Sequence, residues 1–338
     1  MCRCRSFFNL AAAAFFSTQI EAYPNCLADD GSGPVDTWTA FKGPKGTEYV
    51  YWQTGASLGA SNHDMNSTTV GALGATLSQL WSETTTEYII WNDEPVGESG
   101  YNFTTGHTKG VWAWNLATGD AIVLQHSVPL FPAGPAQTPK YKGLGSNAWM
   151  YGQHVACFET TVNTLESLAN LAPLTIPSIY DSRISSETPA ALAMLAGGAA
   201  STEAACDFTS FSTRGGLNVT YFAKSTQWNS ELYADCIAPT LGTSLAVESW
   251  IRGSACGPAC SGTENVLDVQ DVSYPGGLSF SEYNDHSKWA VGTNSDWFCA
   301  SDINRMTTQA ARGGAAYCFQ DVGLATAMRS AAVSTDSC

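Results

Sequence analysis

Positive charge and histidine are what this sequence has least of. Seven lysines, eight arginines and five histidines are spread over 338 residues, against 30 aspartates and glutamates, for a formal net charge of −15. Surfaces that bind nucleic acid in general are basic, so this chain carries no such broad surface at neutral pH. The same balance fits work in an acidic lumen, where carboxylates begin to lose charge, and it also fits the plain acidity common among secreted proteins. Long apolar runs are missing too. The run FFNLAAAAFF is ten residues, too short to cross a bilayer as a helix, and no other segment comes closer. No solenoid period and no low-complexity segment occurs, which excludes repeat architectures.

That apolar run follows Arg3 and Arg5 and ends near a small residue, Ala22, which is the pattern of a secretory signal over residues 1–22. Removing it takes away Arg3, Arg5, Glu21, Cys2 and Cys4, moves the formal charge to −16 and leaves nine cysteines. An oxidising compartment pairs most of these, with one left over. Sequons at Asn66, Asn102 and Asn218 agree with a secretory route. The expected location is therefore the secretory pathway, ending in a lysosome or vacuole or outside the cell, with no membrane insertion. Residues 23–338 are long enough to bury a large core, as one domain or as two halves.

Alternation and β-branched or aromatic enrichment predict strands at TEYVYWQ, EYIIWND, KGVWAWN, AIVLQHSV, VACFETTV, LNVTYFAK, SLAVESWI, VLDVQDVS and KWAVG. Helix patterns fall at TLESLANLA, TPAALAML, NSELYADCIA and DVGLATAMRSAA. The interleaving predicts an α/β or α+β fold of mixed layers. The clearest loop is the Pro/Gly-rich stretch 129–145.

Against so few histidines, one pattern repeats. His107 and Lys109 stand in TTGHTKGVWAWN, and His286 and Lys288 in EYNDHSKWAVG. Chance gives about 0.1 His-x-Lys matches in a chain of this composition, so two copies, each followed by a strand-like run, carry weight. In extended chain, residues i and i+2 face one side, so each copy presents an imidazole and an ammonium to one spot. Two such spots together suit a phosphodiester. The lysines offset charge on the non-bridging oxygens, one histidine attacks phosphorus and the other protonates the leaving oxygen. The scheme needs no metal and no cofactor.

The blocks GHTKGV, HSVPLFP, YGQHVAC, DHSKWAV and DWFCASDINR followed by RGG resemble, in this order, the deoxyribonuclease II family. The resemblance runs from about Cys26 to Cys338. It implies a relative of the phospholipase D superfamily: two similar sheet-and-helix halves, about 23–165 and 166–338, packed as a pseudo-dimer with the active site at their junction. It also implies a metal-independent acid endonuclease on double-stranded DNA that leaves 3′-phosphate ends, as a monomer or homodimer. Carried over by position, His107, Lys109, His286 and Lys288 are catalytic, His126 is a further required histidine, and Asn304 is a trailing polar residue of the second motif. Where the family has an aspartate after the first motif, this chain has Asn115, so that either Asp120 replaces that carboxylate or none is needed. The resemblance further implies the disulfides Cys26–Cys157, Cys299–Cys318 and Cys260–Cys338. Of the remaining three cysteines, Cys206 and Cys236 are expected to pair, leaving Cys256 free or exchanging with Cys260.

Scarce cations make Lys140, Lys142, Arg305 and Arg312 the candidates for DNA backbone contact. Trp112, Trp114, Trp289 and Trp297 are weighed as base-stacking rings, but aromatics beside strand motifs are more often core. His63 reads as solvated and His154 as structural. Three rivals stand against the nuclease: a non-catalytic secreted paralogue, which the four intact His and Lys positions disfavour, and two others. One is a phospholipase D-like phosphodiesterase acting on lipid headgroups. The other is a serine hydrolase using Ser57 in GASLG, a pattern cheap to meet in a chain with 31 glycines.

Overall fold

A computed structural model describes residues 24–96, 104–260 and 262–338. The signal-like segment 1–22 and the sequon asparagine Asn102 lie outside the described residues. Two large sheets with helices packed around them form the chain, the mixed α/β arrangement that the interleaved patterns predict. The first sheet holds β1 (Thr37–Lys42), β2 (Tyr49–Gln53), β3 (Gly59–Ala60), β4 (Glu87–Trp91), β5 (Gly110–Trp114), β6 (Asp120–His126), β7 (Gln153–Thr161) and β8 (Ile179–Arg183). Their order across the sheet is β3-β2-β1-β7-β6-β5-β4-β8. The second holds β9 (Cys206–Ser212), β10 (Asn218–Lys224), β11 (Leu245–Glu248), β12 (Val266–Tyr274), β13 (Leu278–Ser281), β14 (Trp289–Gly292), β15 (Trp297–Ser301), β16 (Gly314–Gln320) and β17 (Ala332–Thr335). Here the order is β13-β12-β11-β14-β15-β16-β10-β9, with β17 pairing β12. Because β8 pairs β4, the first sheet extends past residue 165, and the chain crosses to the second sheet between Arg183 and Cys206.

The cores of the sheets follow one plan. In the first, β4-β5-β6-β7-β1 run antiparallel in sequence order 2-3-4-5-1. In the second, β11-β14-β15-β16-β10 do the same. A helix follows the fourth strand of each run: Val162–Ala169, capped by the Thr161 side chain, and Val322–Ala331, capped by Asp321. A side-chain oxygen accepting from an N-terminal N–H satisfies one of the donors that a helix start leaves open.

Period-2 alternation sorts the side chains of β5. Trp112 and Trp114 enter the layer between the sheets, while Val111 and Ala113 face the outer core under helix Gly71–Ser82. The layer between the sheets is aromatic. Phe41 meets Tyr274, Trp289 and Phe298, Trp52 stacks on Phe319 with ring centroids 5.7 Å apart, and Phe158 stacks on Tyr317 at 5.5 Å. Each such pair contributes about 0.5–1.5 kcal/mol beyond its burial. Trp112, Trp114 and Trp289 are thus core residues, fully buried, and not rings offered to bases.

Four disulfides close the described chain: Cys26–Cys157, Cys206–Cys236, Cys260–Cys338 and Cys299–Cys318. Cys256 is free and exposed. Such a disulfide content is consistent with secretion. Among the described residues no helix is long and apolar enough to cross a membrane.

Candidate active site

Both His-x-Lys pairs sit in the extended lead-ins to equivalent strands, His107–Lys109 before β5 and His286–Lys288 before β14. The middle residue of each triplet points inward. Thr108 accepts a hydrogen bond from Trp91 Nε1 at 3.1 Å, and the Ser287 hydroxyl donates to Asp285. That leaves His and Lys on the other side, as the i, i+2 spacing predicts. One cleft at the junction of the sheets is lined by Glu94, His107, Lys109, Ser127, Pro129, Trp250, His286, Lys288 and Asn304. The two motifs, 179 residues apart in sequence, therefore meet.

Each motif is held by the opposite half of the chain. The His107 backbone N–H donates to Gly313 O at 2.8 Å, and the His286 N–H donates to Gly152 O at 2.9 Å. Gly313 and Gly152 stand directly before the equivalent strands β16 and β7. His107 Nδ1 bonds the carbonyl of Asp302, and the Lys288 N–H donates to His154 Nδ1 at 3.1 Å. Each lysine also donates from Nζ to the carbonyl of its own motif's histidine. The approach of chain segments here is close enough to require glycine. A Cβ on Gly106 would lie 1.9 Å from Thr175 O, and one on Gly313 2.3 Å from the same atom.

A carbonyl only accepts, so His107 Nδ1 carries the proton and Nε2 holds a free lone pair. His286 lies against two rings, stacked on Tyr151 with centroids 4.1 Å apart and tilted against Trp250 at 4.5 Å. Its Nε2 is buried without a partner. Burial first, and then the charges of both lysines, lower the pKa of His107 and of His286, the latter to about 2. Burial and the Lys109 charge bring Lys288 down to about 7. On the rim, burial raises the Glu94 carboxyl.

The carboxylate that serves the first motif is Asp93. It is fully buried, pairs with Lys109 Nζ, and lies 3.2 Å from Arg312 Nη2 and 3.8 Å from His107 Nε2. Burial pushes its pKa up, but Lys109, His107 and Arg312 outweigh that and hold it well below the usual range. Nothing local marks Asp93 in the sequence, because its partners lie 14, 16 and 219 residues away.

Several expectations are corrected by this geometry. Asp120 stands at the far end of β6 from the site and pairs with Arg214 at 2.7 Å, so it does not support the first motif. The Asn115 side chain closes a turn by accepting from the backbone of Ala117 and Thr118. Arg305 is buried and bound to Asp268, Glu231 and Gly257 O, out of reach of a phosphate. Arg312 is buried beside the first motif, against Asp93, Thr105 O and Gly106 O. His126 is fully buried, stacks on Phe131 at 4.0 Å, accepts from the Val128 N–H and does not line the cleft. It sits behind the site, where its charge would couple to that of Lys109. Asn304 does line the cleft, with its Oδ1 buried and unpartnered. Lys140 and Lys142 are exposed, on a loop away from the cleft lining. Ser57 lies exposed in a loop followed by the two-residue β3, with no helix after it, so the nucleophile-elbow geometry is absent there. Asn66 is half-buried and Asn218 exposed. His154 spans the halves as a structural link, its Nε2 bonded to Gln125 Oε1 at 2.8 Å.

A family model described as Deoxyribonuclease II matches residues 25–338. Deoxyribonuclease-2-alpha of Rattus norvegicus is 31% identical over 350 residues, covering 95% of this chain and 96% of its own. Deoxyribonuclease-2-alpha of Sus scrofa is 30% identical over 87% of this chain and 85% of its own. Deoxyribonuclease-2-beta of Rattus norvegicus is 30% identical over 88% of each.

Proposed function

The chain belongs to the deoxyribonuclease II family of phosphodiester hydrolases, and on that premise we propose that it cuts double-stranded DNA in acid by a two-histidine route that needs no metal. The observation that carries this reading is the convergence of His107, Lys109, His286 and Lys288 on one cleft from two halves. Membership of a deoxyribonuclease family removes the lipid-headgroup alternative, and the loop geometry at Ser57 removes the serine hydrolase. The shared five-strand order of the sheets supports a phospholipase D-like pseudo-dimer.

In this mechanism Lys109 and Lys288 hold the non-bridging oxygens, with Asn304 beside them. His107 attacks through Nε2, the nitrogen left free by the Asp302 carbonyl. The bond from phosphorus to O5′ breaks, and His286 gives its proton to O5′. Water then attacks the phosphohistidine and gives a proton back to His286, the bond from phosphorus to His107 Nε2 breaks, and a 3′-phosphate is left. His126 and Arg312 act through Lys109 and Asp93 as positioning residues. Supercoiled plasmid incubated in excess EDTA at pH 5 is expected to be cut, with 3′-phosphate ends and much slower cutting at pH 7.5. Loss of cutting in EDTA that returns on adding a divalent cation would overturn the metal-free route.

Acid preference follows from the charges of the cleft. As pH falls through about 7, Lys288 gains its full charge. Below its raised pKa, Glu94 is neutral and ceases to repel phosphate. Both changes make the cleft more positive in acid, and a bound phosphate then favours protonation of the general acid. Glu94→Gln keeps the rim neutral at every pH. The ratio of plasmid cleavage at pH 7.5 to that at pH 5 is expected to rise several-fold in this variant, while an unchanged pH profile would remove Glu94 from the account.

A further inference from the structure

Beyond the cleft, a row of flat side chains continues outward from the second motif. Trp250 packs on His286 and has the Arg252 guanidinium 5.9 Å from its ring centroid. The same guanidinium lies 5.4 Å from the ring of Tyr283 and donates from Nη2 to the Tyr283 carbonyl at 2.9 Å. Tyr283 ends the row with 55% of its surface exposed. The order outward from the reacting histidine is therefore imidazole, indole, guanidinium, phenol.

The row differs from the other cationic and aromatic clusters of the chain. Arg214, Arg305, Arg312 and Arg329 all pair with carboxylates, and Arg183 is spent on the carbonyls of Glu83, at the end of helix Gly71–Ser82, and of Thr86, just before β4. Among the described residues no carboxylate lies within ion-pair distance of Arg252. The acid on which its charge bears is the buried Glu282, on the same turn as Tyr283. An exposed, unpaired arginine is conspicuous in a chain of net charge −15. Its planar group stacks on aromatic faces while its N–H edges stay free for a phosphate. Tyr283 offers an open π-face that accepts any base.

We propose that Trp250, Arg252 and Tyr283 form a subsite for one DNA strand flanking the scissile phosphodiester, with Arg252 on the neighbouring phosphate and Tyr283 stacked on a base. The subsite rests on the nuclease reading. It gives an acidic chain a local grip on DNA where it has no basic surface, and it contacts one strand only. Trp250 joins the grip to the chemistry, because a base that presses on the row bears on the ring that holds His286.

The test is binding and cleavage measured side by side at pH 5 in EDTA. Binding uses fluorescence anisotropy of a labelled single-stranded oligonucleotide on chain carrying His107→Ala, over a range of salt. Tyr283→Leu is expected to weaken binding about tenfold and Tyr283→Trp to restore it, since stacking tolerates any ring. Arg252→Gln is expected to reduce the slope of log affinity against log salt by about 0.7, the value of one phosphate contact on a single strand. 2-Aminopurine placed next to the scissile position should be quenched on binding, and less so with Tyr283→Leu. Wild-type affinity and salt slope in both variants would overturn the subsite. Tyr283→Trp as weak as Tyr283→Leu would also overturn it, leaving the row as a brace for the His286 turn. Oligonucleotide that binds through the row but is never cut by the wild-type chain would sink the nuclease reading and spare the subsite.

Discussion

His286→Ala is expected to leave supercoiled plasmid essentially uncut at pH 5 in EDTA, a loss of about 10³-fold or more. His107→Ala is expected to do the same, and the two losses have different causes. If His286 protonates the departing O5′, its absence matters only when the leaving group is a poor one. A thymidine 3′-phosphodiester of p-nitrophenol leaves without help, so His286→Ala should recover on it to within roughly tenfold of the wild type. His107→Ala should stay inactive on both substrates, because no leaving group replaces a missing nucleophile. Recovery of His107→Ala in place of His286→Ala would reverse the two roles, and recovery of neither would mean that both act before the bond breaks. Recovery on the activated substrate would itself show that His286→Ala folds. His286 packs against Tyr151 and Trp250, which remain in place to hold the cleft.

The second large effect is on stability. Asp93 is the carboxylate on which Lys109, Arg312 and His107 converge inside the protein. Asp93→Asn keeps the shape and removes the charge, which leaves two buried cations without their counterion. Breaking a buried pair in this way costs about 3–5 kcal/mol, a fall in melting temperature of roughly 5–10 °C for a chain of this size. The sign with pH is fixed by the direction of the shift. A carboxyl whose folded pKa is depressed contributes stability that is present above its unfolded pKa, near 4, and is lost only as pH falls through the folded value. The Asp93 cluster is therefore intact at pH 5, where the enzyme is expected to work. Asp120→Asn is the control, since its partner Arg214 is 40% exposed and the change should cost no more than about 1 kcal/mol. Equal melting temperatures for Asp93→Asn and the wild type at pH 5 would refute the role given to this carboxylate.

The site was legible where chemistry repeats locally. Both His-x-Lys pairs could be read because the spacing lies within one triplet and the strand-like run after each is short-range. Asp93 and Trp250 could not, because each reaches the site from a neighbouring strand end and neither lies in a local motif. Arg305 and Arg312 show why rarity of charge is a poor guide to exposure. Rare cations suggest exposure, yet both are buried on carboxylates distant in sequence, Asp268 and Asp93. The nine strands predicted from pattern all form, within three residues at their ends. Those missed had no pattern to read. TWTAFK of β1 is buried on both faces and so does not alternate, while the edge strand β9 is exposed or half-buried throughout. Helix Gly71–Ser82 starts at a glycine with φ of 72° and has no capping side chain, no acidic residue in its first turn and no basic residue in its last.

The reciprocal ties of the site ask little of the sequence around them. His107 and His286 are anchored through N–H groups to the carbonyls of Gly313 and Gly152, atoms that every residue possesses. Substitution elsewhere in these segments leaves such an anchor untouched, so each half can drift through unrelated sequences without loosening the other's histidine. Drift is barred only where a side chain would intrude. A Cβ at Gly152 would fall 2.3 Å from Asp285 Oδ1, and one at Gly313 equally close to Thr175 O. Segments tied in this way can meet at one cleft while keeping in common, as readable text, little more than one histidine and one lysine apiece.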